Sequence, residues 1–434
     1  MKYKALNPDL YRLNRKRFAS RMKPDSIAIF HSNDAMPRSG DQSFPFRQNS
    51  SLFSLSGLDQ EETVLMLFPN CLKEGHEVVA FIKRASERMK IYDGDTYSKE
   101  KARKISGIKK IYWLDEMDKI LNELILLSKR IYVDTNENNY FRSPVISRNI
   151  RKTKELMERY PAHKYHRSQP IMKEIAMIKS YHEIEAIQEA IDITDIAFQR
   201  VLDFVKPGVM EYEIEAEIIH QFIRNRASGH AYQPIVASGK NACILHYINN
   251  NQRCEDGDLL LLDFGAEYAN YAADLSRTIP VNGQYSKRQR AIYDAVYRVM
   301  VEARQMLVPG TTMDDYHKEV GSIMESELLG LKLISKTDIK NQNPEQPAYK
   351  KYFMHGTSHH LGLDVHDLSS NYTPIQAGMV FTCEPGIYIP EENIGVRIEN
   401  NILVTDNEPI DLMANIPVES EEIETLMNAK VLSS

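Results

Sequence analysis

Leu259-Leu-Leu-Leu-Asp263-Phe-Gly265 and, a few residues on, Tyr271-Ala-Ala-Asp274-Leu-Ser-Arg-Thr-Ile-Pro-Val281 are the two stretches whose reading decides the fold of the C-terminal half. The first is an apolar run closed by an aspartate and a Phe-Gly turn, the pattern of a buried strand. The second is strand-like through Thr278, Ile279 and Val281. With Glu267 to Asn270 as a tight connection, the two pair antiparallel and Asp263 stands directly opposite Asp274, both on one face. Two carboxylates held that close repel, and one stays protonated unless a cation lies between them. A metal ion is the simplest resolution.

About a hundred residues later three more donors appear in strand-like settings. Met379 to Thr382 leads to Glu384 and is stopped by Pro385-Gly386, while Gly395 to Thr405 alternates, with Val396, Ile398 and Asn400 on one face and Arg397 and Glu399 on the other. His359 lies in a histidine-rich segment that also holds His355, His360 and His366. Asp263, Asp274, His359, Glu384 and Glu399 form a mainly hard-oxygen set. Such a set favours two divalent ions, Mn(II) first, with Co(II) or Zn(II) as other occupants, over a thiolate-rich structural zinc site. Five side chains on two ions require sharing, so Asp274 and Glu399 are expected to bridge. Asp263 is then terminal on one ion and His359 with Glu384 on the other. A water between such ions is acidified, and the carbonyl it attacks is polarised.

Each residue also has a bland reading. A lone aspartate at a strand end is more often a turn residue, and only its company makes Asp263 or Asp274 a ligand candidate. His355, His360 and His366 could each be a hydrogen-bonded core group. Arg397 could simply neutralise Glu399, Tyr388 reads as packing, and Cys383 should face away from Glu384 into the interior.

Taken together, Asp263-Phe-Gly with Asp274, His355-Gly-Thr-Ser-His-His-Leu-Gly-Leu-Asp-Val-His366-Asp, Glu384-Pro-Gly-Ile-Tyr388 and Val396-Arg-Ile-Glu399 resemble the pita-bread metallopeptidases, most closely the aminopeptidase P (Xaa-Pro aminopeptidase) group. Ile235-Val-Ala-Ser-Gly-Lys-Asn-Ala-Cys-Ile-Leu-His246-Tyr is similar to that family's substrate-side histidine segment. Phe46-Arg-Gln-Asn-Ser and Leu55-Ser-Gly-Leu-Asp are similar to its N-terminal domain. The resemblance implies release of the N-terminal residue from peptides with proline second. It also implies that His246 and His366 contact the scissile region, His355 walls the proline pocket and Arg397 holds the substrate's C-terminal side.

In the expected mechanism a hydroxide bridging the metals attacks the X-Pro carbonyl. Glu384 accepts its proton, and His246 hydrogen-bonds the developing oxyanion or the leaving region. The X-Pro bond has no N–H for an ordinary peptidase to grip, so a shaped pocket and a strong electrophile must replace that contact. A prolidase acting on Xaa-Pro dipeptides would share the ligands and Arg397. A non-catalytic protein-binding relative, or a metal-free creatinase-like hydrolase, is disfavoured because no ligand is missing. The resemblance further implies a homo-oligomer, dimer or tetramer, in which the N-terminal domain caps the entrance.

The rest of the chain fits an α/β (α+β) protein: a creatinase-like α/β domain at 1–165, then the pita-bread catalytic domain at 166–434. A length of 434 residues exceeds what one core usually serves. Apolar runs at Ile27 to Phe30, Val64 to Phe68, Val78 to Phe81 and Ile131 to Val133 alternate with helical stretches at Leu10 to Arg21 and Met117 to Leu127. The polar stretch Tyr160 to Pro170 marks the boundary. Helical spacing then runs from Glu183 to Val205 and from Met210, and Ser286 with Gln289 forms a capping box opening a helix to Leu307. Lys336 to Lys351 reads as a polar surface excursion. A net charge of -6 without a basic cluster argues against a nucleic-acid partner. The polar start and the lack of a long apolar run predict neither signal peptide nor membrane span. Four scattered cysteines fit free thiols in a reducing cytoplasm.

Overall fold

In the computed structural model, which describes residues 3–92, 94–138, 140, 143–370 and 372–429, the chain forms two units, Tyr3–Ala176 and Met177–Ser434. The first is built on a six-stranded mixed sheet. Its central strand Ser26–His31 pairs antiparallel with Val64–Leu67 and parallel with Arg130–Val133. Val78–Ile82 and Lys110–Trp113 extend one side, and Lys164–Arg167 the other. The expected division at 165/166 falls within that last strand, which belongs to the first unit's sheet. Ile27, Ile29, Val64, Met66, Val79 and Phe81 line one face against Leu121, Leu124 and Ile125 of the helix Met117–Leu126. Strand alternation meets helical spacing there, as a two-layer core requires.

The second unit contains the three-stranded sheet Ile235–Ser238, Leu259–Phe264 and Leu275–Pro280. A second antiparallel set, Val380–Cys383 with Asn400–Leu403, and the hairpin Gly386–Ile389 with Ile394–Arg397 carry the later site residues. Its helices begin and stop where local chemistry directs. Ser180 and Glu183 form a capping box for Tyr181–Phe204, and Ser286 with Gln289 does so for Lys287–Gln305. Pro207-Gly208 and Pro309-Gly310 lie beyond the two ends, with both glycines at positive φ. The polar stretch after Lys336 holds a short helix, Lys336–Lys340, and a turn at Ala348–Lys351. Among the described residues, no helix is long and apolar enough to cross a membrane.

The strand register around Asp263 differs from the expected one. The turn is two residues long, at Ala269-Asn270, with φ of 50° and 63°, so Tyr268 pairs with Tyr271 and Glu267 with Ala272. Left-handed conformation at both central residues is what a tight hairpin turn of matching twist demands. The consequence is that Asp263 pairs with Ser276, not Asp274. The offset is two residues, so strand parity keeps both aspartates on one face. Between them the ladder is opened at Gly265, where an added Cβ would lie 1.7 Å from the Ala273 carbonyl oxygen.

Candidate metal centre

Four strands and a loop deliver the donors. Asp263 near the end of Leu259–Phe264 and Asp274 just before Leu275–Pro280 enter from one sheet. Glu384 follows Val380–Cys383, and Glu399 precedes Asn400–Leu403 and bridges to Ser276. His359 is pinned by its own N–H donating to Thr382 Oγ1 at 3.1 Å, while the Thr382 N–H donates to the His359 carbonyl at 2.9 Å.

Among the described residues, Asp274, His359 and Glu399 each present a donor atom within 4.8 Å of the others. His359 Nε2 also lies 3.4 Å from Asp274 Oδ2 and 3.5 Å from Glu384 Oε1. Its Nδ1 is 3.0 Å from the His360 carbonyl, to which it donates, so Nε2 is the ring nitrogen turned toward the carboxylates. Asp263 is held differently: Arg397 Nη2 reaches its Oδ2 at 2.6 Å, and the Tyr232 hydroxyl lies 2.7 Å from its Oδ1. The same hydroxyl is 2.5 Å from Asp274 Oδ1. One phenolic proton cannot serve two carboxylates at once.

The electrostatics state the same conflict. Burial first, then the charges of Asp274, Glu384 and Asp263, raise the Glu399 carboxyl well above its ordinary range. Glu384 is pushed up to about 7 by burial, with Asp274 and Asp263 adding and His359 and Arg397 opposing. Burial works against a charged His359, yet the hydrogen bond to Asp274 and the charges of Glu384 and Asp274 lift it to about 9. Glu399 Oε1 is buried without a hydrogen-bond partner, although Oε2 accepts from Ser276 Oγ at 2.8 Å. An orphaned buried carboxylate oxygen among further acids and one imidazole is a donor set that a divalent cation satisfies.

The neighbouring histidines divide. His366 stacks edge-on to His359 with centroids 4.4 Å apart, and burial with the His359 charge lowers it to about 4. His355 Nδ1 is 2.8 Å from the Gly356 carbonyl and Nε2 is 2.8 Å from the Tyr388 hydroxyl. Burial, then Arg397 and His246, lower His355 to about 3, and His246 also bears on His366. His246 itself is exposed. His360 packs on Phe381, 4.2 Å between centroids, and belongs to the core. Cys383 is buried facing Met300 and Tyr316, away from the donors.

Tyr388 does more than pack. Arg397 Nη1 donates to its hydroxyl at 2.9 Å and that hydroxyl donates on to His355, so the arginine, tyrosine and histidine form one chain. Arg397 Nε also donates to Ser276 Oγ at 3.0 Å, which in turn donates to Glu399. Tyr232, Ser276 and Thr382 were not singled out from the sequence. Single hydroxyls in a loop or strand carry no spacing signal.

Residues 185–406 match metallopeptidase family M24, and residues 11–132 match the family described as aminopeptidase P, N-terminal domain. The chain belongs to metallopeptidase family M24. Among similar proteins, the Xaa-Pro aminopeptidase of Haemophilus influenzae is 34% identical, with 95% of this chain and 96% of that protein covered. Zinc-substituted aminopeptidase P of Escherichia coli, solved in complex with product, superposes with a TM-score of 0.88 at 32% identity, covering 98% of this chain and 99% of that one. The Pseudomonas aeruginosa aminopeptidase PepP structure gives 0.89 at 30% identity, with 99% of each chain covered. The two-domain order, an aminopeptidase P N-terminal domain before an M24 domain, is thereby the order of this chain.

Proposed function

We propose that this M24 chain is a metallo-aminopeptidase that releases the N-terminal residue from peptides with proline in the second position. The observation that carries the reading is the buried convergence of Asp274, His359 and Glu399, with Glu384 beside His359 and one oxygen of Glu399 unpartnered. Family membership supplies the chemistry, and the relatives named Xaa-Pro aminopeptidase supply the bond. Asp263, Asp274, His359, Glu384 and Glu399 would hold two divalent ions, Mn(II) being our first choice for an oxygen-rich set. When bound, such ions acidify a water and polarise the carbonyl under attack.

The chain's own groups do the rest. Glu384, partly exposed at the site, takes a proton from the attacking water and returns it to the proline nitrogen, which as a tertiary amide must be protonated to leave. His246 and His366 hydrogen-bond the scissile region. His355, kept neutral by burial and by Arg397, walls the proline pocket. Arg397 fixes Asp263 and, by the resemblance, helps hold the substrate's C-terminal side.

A homo-oligomer and a cytoplasmic setting complete the proposal. The first rests on the resemblance and is read by light scattering; the second is supported by Cys71, Cys243, Cys254 and Cys383 being free thiols. The deciding experiment strips metal, verifies its loss by elemental analysis, and follows an Xaa-Pro-Xaa tripeptide and an Xaa-Pro dipeptide with Mn(II), Co(II), Zn(II) or nothing added. Metal-dependent release of the N-terminal amino acid from the tripeptide is expected. Undiminished activity without metal, or a preference for the dipeptide, would overturn the reading.

A further inference from the structure

The loop that carries His246 has no regular strand or long helix to hold it. It runs from Ser238 through the turn Gly239–Cys243 to Gln252 and places His246 at its exposed side. A single carboxylate gathers it from behind. Glu211, wholly buried at the first turn of the helix Glu211–Arg224, accepts from four donors, all of them in this loop. Its Oε1 takes the Ser238 N–H at 2.8 Å and Asn241 Nδ2 at 3.2 Å. Its Oε2 takes the Tyr247 hydroxyl at 2.7 Å and the Gln252 N–H at 2.8 Å.

One turn along the same helix, Glu215 accepts from Asn250 Nδ2 at 2.8 Å, and Asn250 bonds back to Pro234 and Val236. Tyr247, next to His246, packs in one cluster with Tyr388, whose hydroxyl joins His355 to Arg397. The loop is therefore braced on the helix behind it and on the substrate-side residues in front.

We propose that Glu211 is the positioning residue of the substrate-side loop, setting where His246 stands against the scissile bond. A buried charge with four donors fixes both ends and the middle of the loop at once, which no neutral side chain of the same length can do, because an amide offers one accepting atom and two hydrogens. The proposal rests on the reading that His246 contacts substrate.

The test is a double-mutant cycle on the metal-loaded enzyme, comparing Glu211→Gln, His246→Ala and the pair by kcat and KM on an Xaa-Pro-Xaa tripeptide. Bound metal and unfolding midpoint are recorded for each. Glu211→Gln should lower kcat/KM by about 10- to 100-fold, the range that misplacement of a positioned group produces. In the His246→Ala background it should cause no further loss, since the group being positioned is gone.

Equal losses in both backgrounds would mean that Glu211 only supports the fold, and the proposal fails. No loss from Glu211→Gln while His246→Ala is impaired also ends it, leaving the reading of His246 intact. An unimpaired His246→Ala removes that reading and this proposal with it. Should Glu211→Gln not fold, Tyr247→Phe deletes one of the four bonds while keeping the ring. A smaller loss that vanishes in the His246→Ala background supports the proposal, and one that persists there refutes it.

Discussion

Replacing Lys179 with methionine should cost the catalytic unit far more than its position at the start of that unit suggests. Lys179 Nζ lies 2.8 Å from Asp367 Oδ2, with side-chain exposures of 1% and 5%. Gly362 makes the room: a Cβ there would fall 2.1 Å from Asp367 Oδ2 and 2.9 Å from Lys179 Cε and Nζ. Asp367 Oδ1 accepts the Leu368 N–H, and the Asp367 N–H donates to the His360 carbonyl, so the pair ties the segment between His359 and His366 to the unit's first residues.

Removing one partner of a buried pair leaves the other uncompensated, at about 3–5 kcal/mol. At about 2–4 °C per kcal/mol for a domain of this size, the midpoint should fall by about 6–20 °C. Asp367→Asn should cost a comparable amount. In the double variant Lys179→Met/Asp367→Asn the loss should be below the sum by about 2–3 kcal/mol. Burial already raises the Asp367 carboxyl and Lys179 opposes that rise. Without the lysine the carboxyl protonates more readily in the folded state, so the deficit against the parent should shrink between pH 7.5 and pH 5. Differential scanning calorimetry at both pH values reads all of this. Strictly additive single losses, or a deficit that grows on acidification, would refute the reasoning.

Three further outcomes are expected. His31, buried with neither ring nitrogen hydrogen-bonded, is lowered to about 3 by burial and by Arg148 and Lys152. Because its folded pKa lies below the ordinary 6.5, the unfolded chain takes up a proton first, and stability is lost as pH falls below that value. Relative to His31→Leu, the parent should lose about 2 kcal/mol between pH 7.5 and pH 5 in denaturant titrations, and a constant difference would contradict this. Gly265→Ala drives a methyl into the Ala273 carbonyl and should destabilise by about 1–3 kcal/mol while weakening metal retention at Asp274; unchanged metal content and midpoint would count against the close approach. Glu384→Gln, assayed with bound metal measured alongside, should lower kcat by about 100-fold or more, and near-normal turnover would eliminate Glu384 as proton carrier.

Local chemistry made much of the molecule legible without coordinates. The capping box of Ser286 and Gln289, the apolar runs Ile27 to Phe30, Val64 to Phe68 and Leu259 to Leu262 that underlie the strands Ser26–His31, Val64–Leu67 and Leu259–Phe264, and the Pro-Gly stops report short-range preferences that the tertiary structure keeps. Strand parity likewise put Arg397 and Glu399 on one face of their stretch and turned Cys383 away from Glu384. Partners were a different matter. Asp263 pairs with Ser276 because Ala269 and Asn270 both turn left-handed, a choice of two residues that moves the register without changing the face.

Arg397 claims Asp263, Tyr232 spans the two aspartates, and Glu211 gathers a loop up to 41 residues away, none of which leaves a periodic trace. Alternation and helical spacing say which way a side chain points from its own backbone. Which distant group it meets is set by how strands register and helices pack, and those are decided by the whole chain at once.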